Sequence, residues 1–300
     1  MTDAFVDLEV VQRNAAIGLR FWDVATGNTV VDDLRVELYR AATPTTRRVA
    51  LSNRSGVYTC LDVPGLRSFE FDDSTTPDPL WTTATVTPYR VEVSDPRGRF
   101  LPIVFDAGLP ARGLFTWFAP WLSPPHAIAL GSDGASPPGL MAGRIPLFSA
   151  PSRQTPEPLA VAYAQLQEFG SARPLAWALL GVSIDGAPQG LGLADAQGRV
   201  AVMFPYPEPP RRMLASPPEA RSDFGWSVTL TAFVGAASPP APVPVFADLG
   251  LVLGQLARPR PPIDADASPS LPWRLDYRVP LTARSSGQPP PDDSVLLIAP

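Results

Sequence analysis

The residue types that most often carry covalent chemistry are scarce in this chain of 300 residues, which holds one histidine and one cysteine. His126 ends the run Ser-Pro-Pro-His, where no neighbouring residue would orient an imidazole as a general base. Cys60 would become a nucleophile only beside His126, which lies in another region of the chain. We therefore interpret His126 as a solvated loop residue and Cys60 as a small core residue.

One cysteine and one histidine cannot supply the four ligands of a structural zinc site. Oxygen ligands for calcium occur in four acidic clusters: Asp32–Asp33, Asp72–Asp73, Asp264 with Asp266, and Asp292–Asp293. None has EF-hand spacing, so we interpret them as solvated loop acids and expect no metal and no cofactor. The sequence leaves open a pair of glycosidase carboxylates, although no acid pair is flanked by aromatic residues.

An aromatic group at Trp117, Phe118 and Trp121, in the run Trp-Phe-Ala-Pro-Trp, is the strongest non-enzymatic signal. One interpretation makes it a contact surface for another subunit, because interface cores are rich in Trp and Phe. The other packs it between two domains. Both interpretations remain open at this point.

The amino-acid composition limits which secondary-structure elements can position these side chains. The chain holds 39 prolines and 22 glycines, and helix interiors exclude proline, so strands and irregular connections are expected. Hydrophobic residues make up 45% of the chain and alternate along it, which favours a folded core over disorder.

The net charge and the cysteine count bear on which partners the protein binds and in which compartment it is made. The net charge is −5, so no basic surface dominates, which argues against nucleic acid and anionic membrane as partners. One cysteine excludes an intramolecular disulfide framework, and residues 1–9 carry acids where a signal peptide needs bases. No apolar run reaches membrane-spanning length. We expect synthesis in the cytoplasm without a signal peptide or membrane insertion, which is compatible with a place in a released particle.

Recurrent turns specify the architecture. Asn53–Gly56 has an Asn-x-x-Gly pattern, and Asp95–Gly98 and Asp195–Gly198 repeat it with aspartate. Apolar and polar residues alternate from Leu34 to Arg40, the period of a half-buried strand. These features predict an all-β fold of two tandem antiparallel β-sandwiches with extended proline-rich connections.

Composition shifts suggest the boundaries. We expect an N-terminal sandwich over 1–118, a Pro/Ser/Gly-rich connection over 119–143, a C-terminal sandwich over 144–287 and a C-terminal arm over 288–300. Residues 159–169 fit a strand and also a helical stripe, and we favour the strand. Asp248 is placed to cap one short helix. The arm carries an apolar strand, Val295, Leu296, Leu297 and Ile298, that we expect to pair with another subunit.

One part of the chain combines a strand from Leu34 to Arg40, the run Asn53-Arg-Ser-Gly-Val-Tyr58 and the stop Asp62-Val-Pro-Gly65. This combination resembles the carboxypeptidase-regulatory-like, or transthyretin-like, β-sandwich. The second copy departs from that pattern, with Val200 where tyrosine is usual. A longer stretch, 89–102 with 198–207, is similar to two-domain proteins associated with phage-tail-like contractile injection systems. The resemblance implies a structural part of such a particle.

The leading functional hypothesis is therefore a non-enzymatic structural or adaptor component that acts through contacts with other subunits of a multi-protein particle and is oligomeric in assembly. The alternative is a carbohydrate- or peptide-binding sandwich module, which would need Trp22, Trp81 and Trp226 to converge on one face. An enzyme ranks third, because histidine, cysteine and lysine chemistry is nearly absent.

Overall fold

The computed structural model describes residues 13–71, 86–111, 113–116, 140, 144–208, 225–235, 242–287 and 294–300. Strands dominate these residues, which confirms the all-β prediction. The strands in chain order are β1 (Gly18–Leu19), β2 (Phe21–Asp23), β3 (Thr29–Val30), β4 (Arg35–Arg40), β5 (Arg48–Val49), β6 (Leu51–Ser52), β7 (Tyr58–Thr59), β8 (Thr87–Ser94), β9 (Ile103–Leu109), β10 (Ile145–Leu147), β11 (Leu159–Glu168), β12 (Leu179–Ile184), β13 (Ala187–Leu193), β14 (Arg199–Pro205), β15 (Gly225–Phe233), β16 (Ala247–Asp248), β17 (Pro259–Arg260), β18 (Pro262–Ile263), β19 (Trp273–Asp276), β20 (Leu281–Thr282) and β21 (Leu296–Ile298). The helices are α1 (Arg67–Glu70) and α2 (Leu249–Gly254), and α2 continues as a 3₁₀ turn, Gln255–Ala257.

The first sandwich has a five-stranded sheet in the order β16-β9-β8-β4-β5 on one side. Its other layer consists of two three-stranded sheets, β1-β7-β6 and β10-β2-β3. The two sheets are adjacent because only Arg20 separates β1 of one from β2 of the other. Alternate residues of β4 and β8 point into the space between the layers. Their buried members, Val36, Leu38, Val91 and Val93, belong to one core cluster with Phe21 of the opposite layer.

The second sandwich packs the sheet β14-β11-β21-β18 against the sheet β13-β12-β15-β17. Two further strands join at the sides, β20 on β11 and β19 on β15. Strand β11 confirms the favoured interpretation of residues 159–168 and pairs with β14 from Leu159 to Gln165. Valines and leucines of both sheets form a separate core cluster.

The sheet pairings divide the chain differently from the predicted boundaries. Strand β10, expected to open the second domain, pairs in parallel with β2 of the first sandwich. Strand β16 pairs in parallel with β9, and the following helix α2 buries Leu249, Val252 and Leu253 in the first core. Residues 144–150 and 247–256 therefore pack with the first sandwich, although their position in the chain suggested the second.

The C-terminal strand is a second correction. We expected Val295, Leu296, Leu297 and Ile298 to project as an arm, but all four are buried in their own chain. Strand β21 lies between β11, with which it is parallel, and β18, with which it is antiparallel. Because both of its faces are covered, this continuous apolar run forms an inner strand of the second sandwich and not an arm.

The three predicted turns form as expected, and two of them are near copies. The side chain of Asp95 accepts hydrogen bonds from the main-chain N–H groups of Arg97 (3.2 Å) and Arg99 (2.8 Å), and from Nε of Arg99 (2.9 Å). Asp195 does the same with Gln197 (2.8 Å), with the N–H of Arg199 (2.9 Å) and with its Nε (2.9 Å). An Asp-x-x-Gly-Arg unit thus joins two strands in each sandwich: β8 to its antiparallel partner β9 in the first, and β13 of one sheet to β14 of the other sheet in the second.

Helix α2 begins at the predicted cap. The Oδ1 atom of Asp248 accepts hydrogen bonds from the N–H groups of Gly250 (3.1 Å) and Leu251 (3.2 Å), which satisfies two orphan donors of the first turn. The other carboxylate oxygen of Asp248 accepts a hydrogen bond from Arg90 of β8 at 3.1 Å. Asp248 therefore ties the helix to the first sandwich.

Candidate functional site

A cleft of about 660 Å³ lies where the two sandwiches meet. The first sandwich contributes Arg90 of β8, Asp248 and the outer face of α2. The second contributes the segment before β12 and the residues after β15. The lining side chains are mostly apolar, with charged groups among them, as in many binding sites. The apolar members include Leu175, Ala176, Trp177, Val234, Phe246, Leu251 and Val252.

Trp177 occupies a conformation that few non-glycine residues adopt, with a φ of +58°. Its backbone carbonyl accepts a hydrogen bond of 2.9 Å from Nε2 of Gln255, which holds this turn against the end of α2. Both side chains are only 8% exposed. Trp177 precedes β12 in the chain, and its ring joins the core of the first sandwich. The pair therefore connects the two sandwiches at the cleft.

Two buried polar atoms of this pair lack hydrogen-bond partners among the described residues: Nε1 of Trp177, a donor, and Oε1 of Gln255, an acceptor. The orientation of the Gln255 amide follows from chemistry. Its partner, the Trp177 carbonyl, can only accept, so the nitrogen must face it and the oxygen must face away. A buried polar group left unpaired costs about 1–3 kcal/mol of stability, and both of these atoms are closed to solvent.

The charged lining residues are three arginines against one aspartate. Arg90 pairs with Asp248 at 3.1 Å and with Asp106 at 3.4 Å, and Arg173 pairs with Glu168 at 2.8 Å. Arg258 is exposed, and its guanidinium has no partner within the described part of the chain. The three arginines thus lie beside three carboxylates among the described residues, Asp106, Glu168 and Asp248, so this part of the cleft carries no excess of positive charge.

The sequence-predicted sites fare differently. Trp117, Phe118 and Trp121 lie outside the described residues, as do His126 and Trp81. The remaining predicted interface residues, on β21, are buried in the second sandwich: Leu296 and Ile298 enter its main core, and Val295 and Leu297 pack with Ile263 on the opposite face.

The tryptophans proposed for a carbohydrate face do not converge where the structure describes them. Trp226 is 7% exposed in the second core, 5.7 Å from the ring of Tyr206. Trp22 lies on β2 of the first sandwich, and the guanidinium of Arg144 lies 3.5 Å from the centre of its ring.

Cys60 is 1% exposed, and burial raises the pKa of its thiol to about 11. The thiol is therefore protonated at neutral pH, and a core role is confirmed. Among the acid clusters, Asp32 accepts hydrogen bonds from Arg97 and Arg99, each at 3.2 Å. Asp264 accepts hydrogen bonds from Ser270 and Ser286, each at 2.9 Å. No group of three or more His, Cys, Asp or Glu within the described ranges is arranged to hold a metal.

Sequence reasoning missed the pairing of Trp177 with Gln255. One signal was available, because Gln255 is the only polar side chain between Leu249 and Leu256. Its partner lies 78 residues earlier, so the signal pointed to a buried polar contact without identifying the tryptophan. No helix in the described ranges is long and apolar enough to span a membrane.

The chain matches no protein-family model and no curated protein. Among solved structures it is similar to the shaft pilin SpaA from Lactobacillus rhamnosus GG, at 11% identity and a TM-score of 0.21, over 95% of this chain and 96% of the pilin. The C-terminal fragment of the pilus adhesin SpaC from the same organism shows 9% identity and a TM-score of 0.17, over 94% and 96% of the two chains.

A 9R-lipoxygenase from Cyanothece PCC8801 shows 14% identity over 46% of this chain, with a TM-score of 0.18. This chain spans only 19% of the lipoxygenase. TM-scores this low define neither a shared fold nor a shared function. Nothing in these comparisons links the chain to transthyretin-like domains or to contractile particles, so those resemblances depend on the sequence motifs alone.

Proposed function

We propose that this protein is a non-enzymatic structural or adaptor component that holds a segment of a partner protein in the cleft between its two sandwiches. The observation that carries the proposal is the cleft itself, which is lined mostly by apolar side chains from both sandwiches, among them Trp177, Phe246 and Leu251. A partner segment that covers these apolar walls removes them from water, which contributes hydrophobic binding energy.

The shared core supports an adaptor role. Side chains from both halves of the chain, including Trp177 and Leu249, lie in one cluster with those of β8 and β9. Close-packed interiors resist deformation, so the two walls of the cleft are held in a fixed relation. A preformed cleft binds with less loss of conformational entropy than one that must assemble around its ligand.

The narrower proposal is that the partner belongs to a phage-tail-like contractile particle. Its support is the sequence resemblance over 89–102 and 198–207. The proposal leads to a direct search for the partner: the full chain is co-expressed with each protein encoded by the neighbouring genes, and complexes are isolated by an affinity tag.

The test uses two exposed lining residues whose replacement leaves the core intact. Leu251 is 75% exposed on α2, and Arg258 is exposed just beyond it. The double variant Leu251→Glu/Arg258→Glu places negative charge at the cleft and is expected to abolish capture of the partner. The control is Leu271→Glu, an equally exposed leucine (80%) that does not line the cleft, which should capture normally. Undiminished capture by the double variant would refute the proposal.

A further inference from the structure

Another cavity, of about 410 Å³, lies against the sheet that contains β11 and β14, on the face turned away from the second core. We infer that it binds a neutral saccharide, one sugar ring of which stacks on the side chain of Tyr163. This site lies outside the proposed function, because no residue that lines the cleft also lines this cavity. Three features carry the inference: an aromatic ring, neutral polar groups beside it, and a balance of charge.

The strand register places four lining side chains on one face of this sheet. Alternate residues of β11, among them Ala164, enter the second core, so Tyr163 and Gln165 on either side of it point to the opposite face. Arg199 of β14 lies directly opposite Gln165, and Thr282 of β20 lies directly opposite Tyr163. Directly opposed residues share a face, so these four side chains are neighbours.

The ring of Tyr163 is suited to stacking. It packs with a small apolar cluster that includes Ala25 and Met203, which restricts its rotation, and it remains partly exposed. A six-membered sugar ring presents C–H groups on its faces and hydroxyl groups around its edge, so a C–H face packs on an aromatic ring. Tyr163 and Gln165 lie about 7 Å apart along the strand. A sugar ring stacked on Tyr163 therefore brings the hydroxyls of its edge to Gln165.

The polar groups beside the ring match sugar hydroxyls, which both donate and accept hydrogen bonds. The Tyr163 hydroxyl, the Gln165 amide and the Thr282 hydroxyl can likewise do both. None of these three groups has a hydrogen-bond partner within the described ranges. All three side chains are at least partly exposed, so a ligand can reach them. Ser152 and Ser294 add two further hydroxyls to the lining.

The charge of the cavity favours a neutral ligand. Its charged lining residues are Asp195 and Arg199, which form an ion pair at 2.9 Å. The Asp195 carboxylate also accepts the main-chain hydrogen bonds of its turn. An anion would be repelled by Asp195 and a cation by Arg199, whereas a saccharide without charge avoids both penalties.

One part of the wall is held in place by the first sandwich. Pro151 and Ser152 contribute to the lining and directly precede Arg153. Arg153 binds both carboxylate oxygens of Asp23 on β2, at 2.7 and 3.0 Å. The cavity is therefore formed before a ligand arrives, which reduces the entropy lost on binding.

The experiment titrates the full-length protein into three neutral trisaccharides, cellotriose, maltotriose and mannotriose, and records their proton NMR spectra. At least one sugar is expected to bind saturably, with C–H protons shifted upfield by the ring current of Tyr163. The comparison probe, the blocked peptide acetyl-Ala-Ser-Ala-amide, is also neutral and is expected to show no shift. Equal binding of this peptide, or no saturable binding of any sugar up to about 10 mM, would overturn the inference.

Variants of β11 separate stacking from hydrogen bonding. Tyr163→Leu removes the ring and is expected to weaken sugar binding about tenfold, whereas Tyr163→Phe keeps the ring and should preserve the upfield shift. Gln165→Leu removes the amide from an exposed face and is expected to weaken binding about fivefold, so it tests the site even if Tyr163→Leu fails to fold. The matched control is Gln167→Leu, which lies on the same strand and face but does not line the cavity.

The outcomes separate this site from other places on the protein. Unchanged affinity in both Tyr163→Leu and Gln165→Leu would place the sugar elsewhere and overturn the inference. The cleft variant Leu251→Glu/Arg258→Glu is expected to bind the sugar normally, whatever its effect on partner capture. Loss of sugar binding in that variant would place the sugar in the cleft, which would also overturn the inference.

Discussion

The two sandwiches close their cores in different ways. The second core draws only on residues between Ala160 and Ile298, whereas the first draws on residues from Ala16 to Leu256. Strand β10 reaches the first core from the middle of the chain, and β16 and helix α2 reach it from the second half. A sandwich that recruits distant segments cannot be separated from its neighbour, and the cleft lies where those segments return.

Removing the C-terminal strand should cause the largest loss of stability, and this loss should be greater in the second core than in the first. Deletion of 294–300 removes Leu296 and Ile298 from between β11 and β18. Each buried aliphatic side chain lost costs about 2–5 kcal/mol, and a whole domain has about 5–15 kcal/mol of stability. We expect the second sandwich to lose its cooperative unfolding transition in calorimetry.

Hydrogen exchange locates that effect. Amides of β11 should lose protection, while amides of β8 in the first sandwich keep more of theirs. Removal of the exposed Pro300 alone is the control and should change nothing measurable. Equal loss of protection in β8 and β11 would contradict the independence of the second core.

Breaking the buried ion pair between Arg153 and Asp23 should cause the next largest loss of stability. Arg153 binds both carboxylate oxygens of Asp23, at 2.7 and 3.0 Å, and the two side chains are 10% and 6% exposed. Arg153→Met leaves Asp23 without its cationic partner, so a loss of about 3–5 kcal/mol is expected in urea unfolding. The control, Arg274→Met, breaks a solvent-exposed pair with Asp276 and should cost under about 1 kcal/mol. Similar losses in both variants would contradict the structural role of Asp23–Arg153.

Helix α2 offers a matched pair of substitutions that tests the recruitment of distant segments. Leu249 is fully buried in the first core, and Leu251, two residues later, is 75% exposed. Leu249→Ala should cost about 2–5 kcal/mol by leaving a cavity, and Leu251→Ala should stay within about 0.5 kcal/mol. Exchange of β9 amides should accelerate more than that of β14 amides in Leu249→Ala. The reverse order would assign α2 to the second sandwich.

The two Asp-x-x-Gly turns should show the smallest difference in stability when their glycines are replaced. Gly98 and Gly198 both have positive φ, +66° and +79°, so alanine at either position costs about 1 kcal/mol or more in backbone strain. A Cβ at 198 would lie 2.5 Å from the carbonyl oxygen of Leu166, whereas one at 98 meets nothing within 4 Å. Gly198→Ala should therefore destabilise more than Gly98→Ala in thermal unfolding. Equal losses would mean that β11 yields to the added methyl group.

The loss of stability in acid gives a second measure of how much the Asp95 turn contributes. Burial alone would raise the pKa of Asp95, but the hydrogen bonds from Arg99 and from the main chain outweigh it and lower the pKa. The stability from this lowered pKa is present at neutral pH and is lost as pH falls below about 4. Asp95→Asn should therefore lose less stability than the wild type between neutral and acid pH in urea unfolding.

Much of the local structure was predictable from the sequence. The Asx turns at Asn53, Asp95 and Asp195, the strand β11 and the Asp248 cap all depend on hydrogen bonds or alternation within a few residues. Such interactions are specified by neighbouring side chains, so they are readable without knowledge of distant partners.

The placement of strands in sheets was decided only by the tertiary structure. The apolar residues of β10 and β21 indicate that these strands will be buried, but they do not say which sheet each strand joins. Strand β10 joins β2, 124 residues away in register, and β21 fills the gap between β11 and β18. The cleft has the same origin, because Trp177 and Gln255 become one site only when two segments 78 residues apart meet. Non-local contacts of this kind depend on how the cores close around each segment, and local sequence carries no record of that.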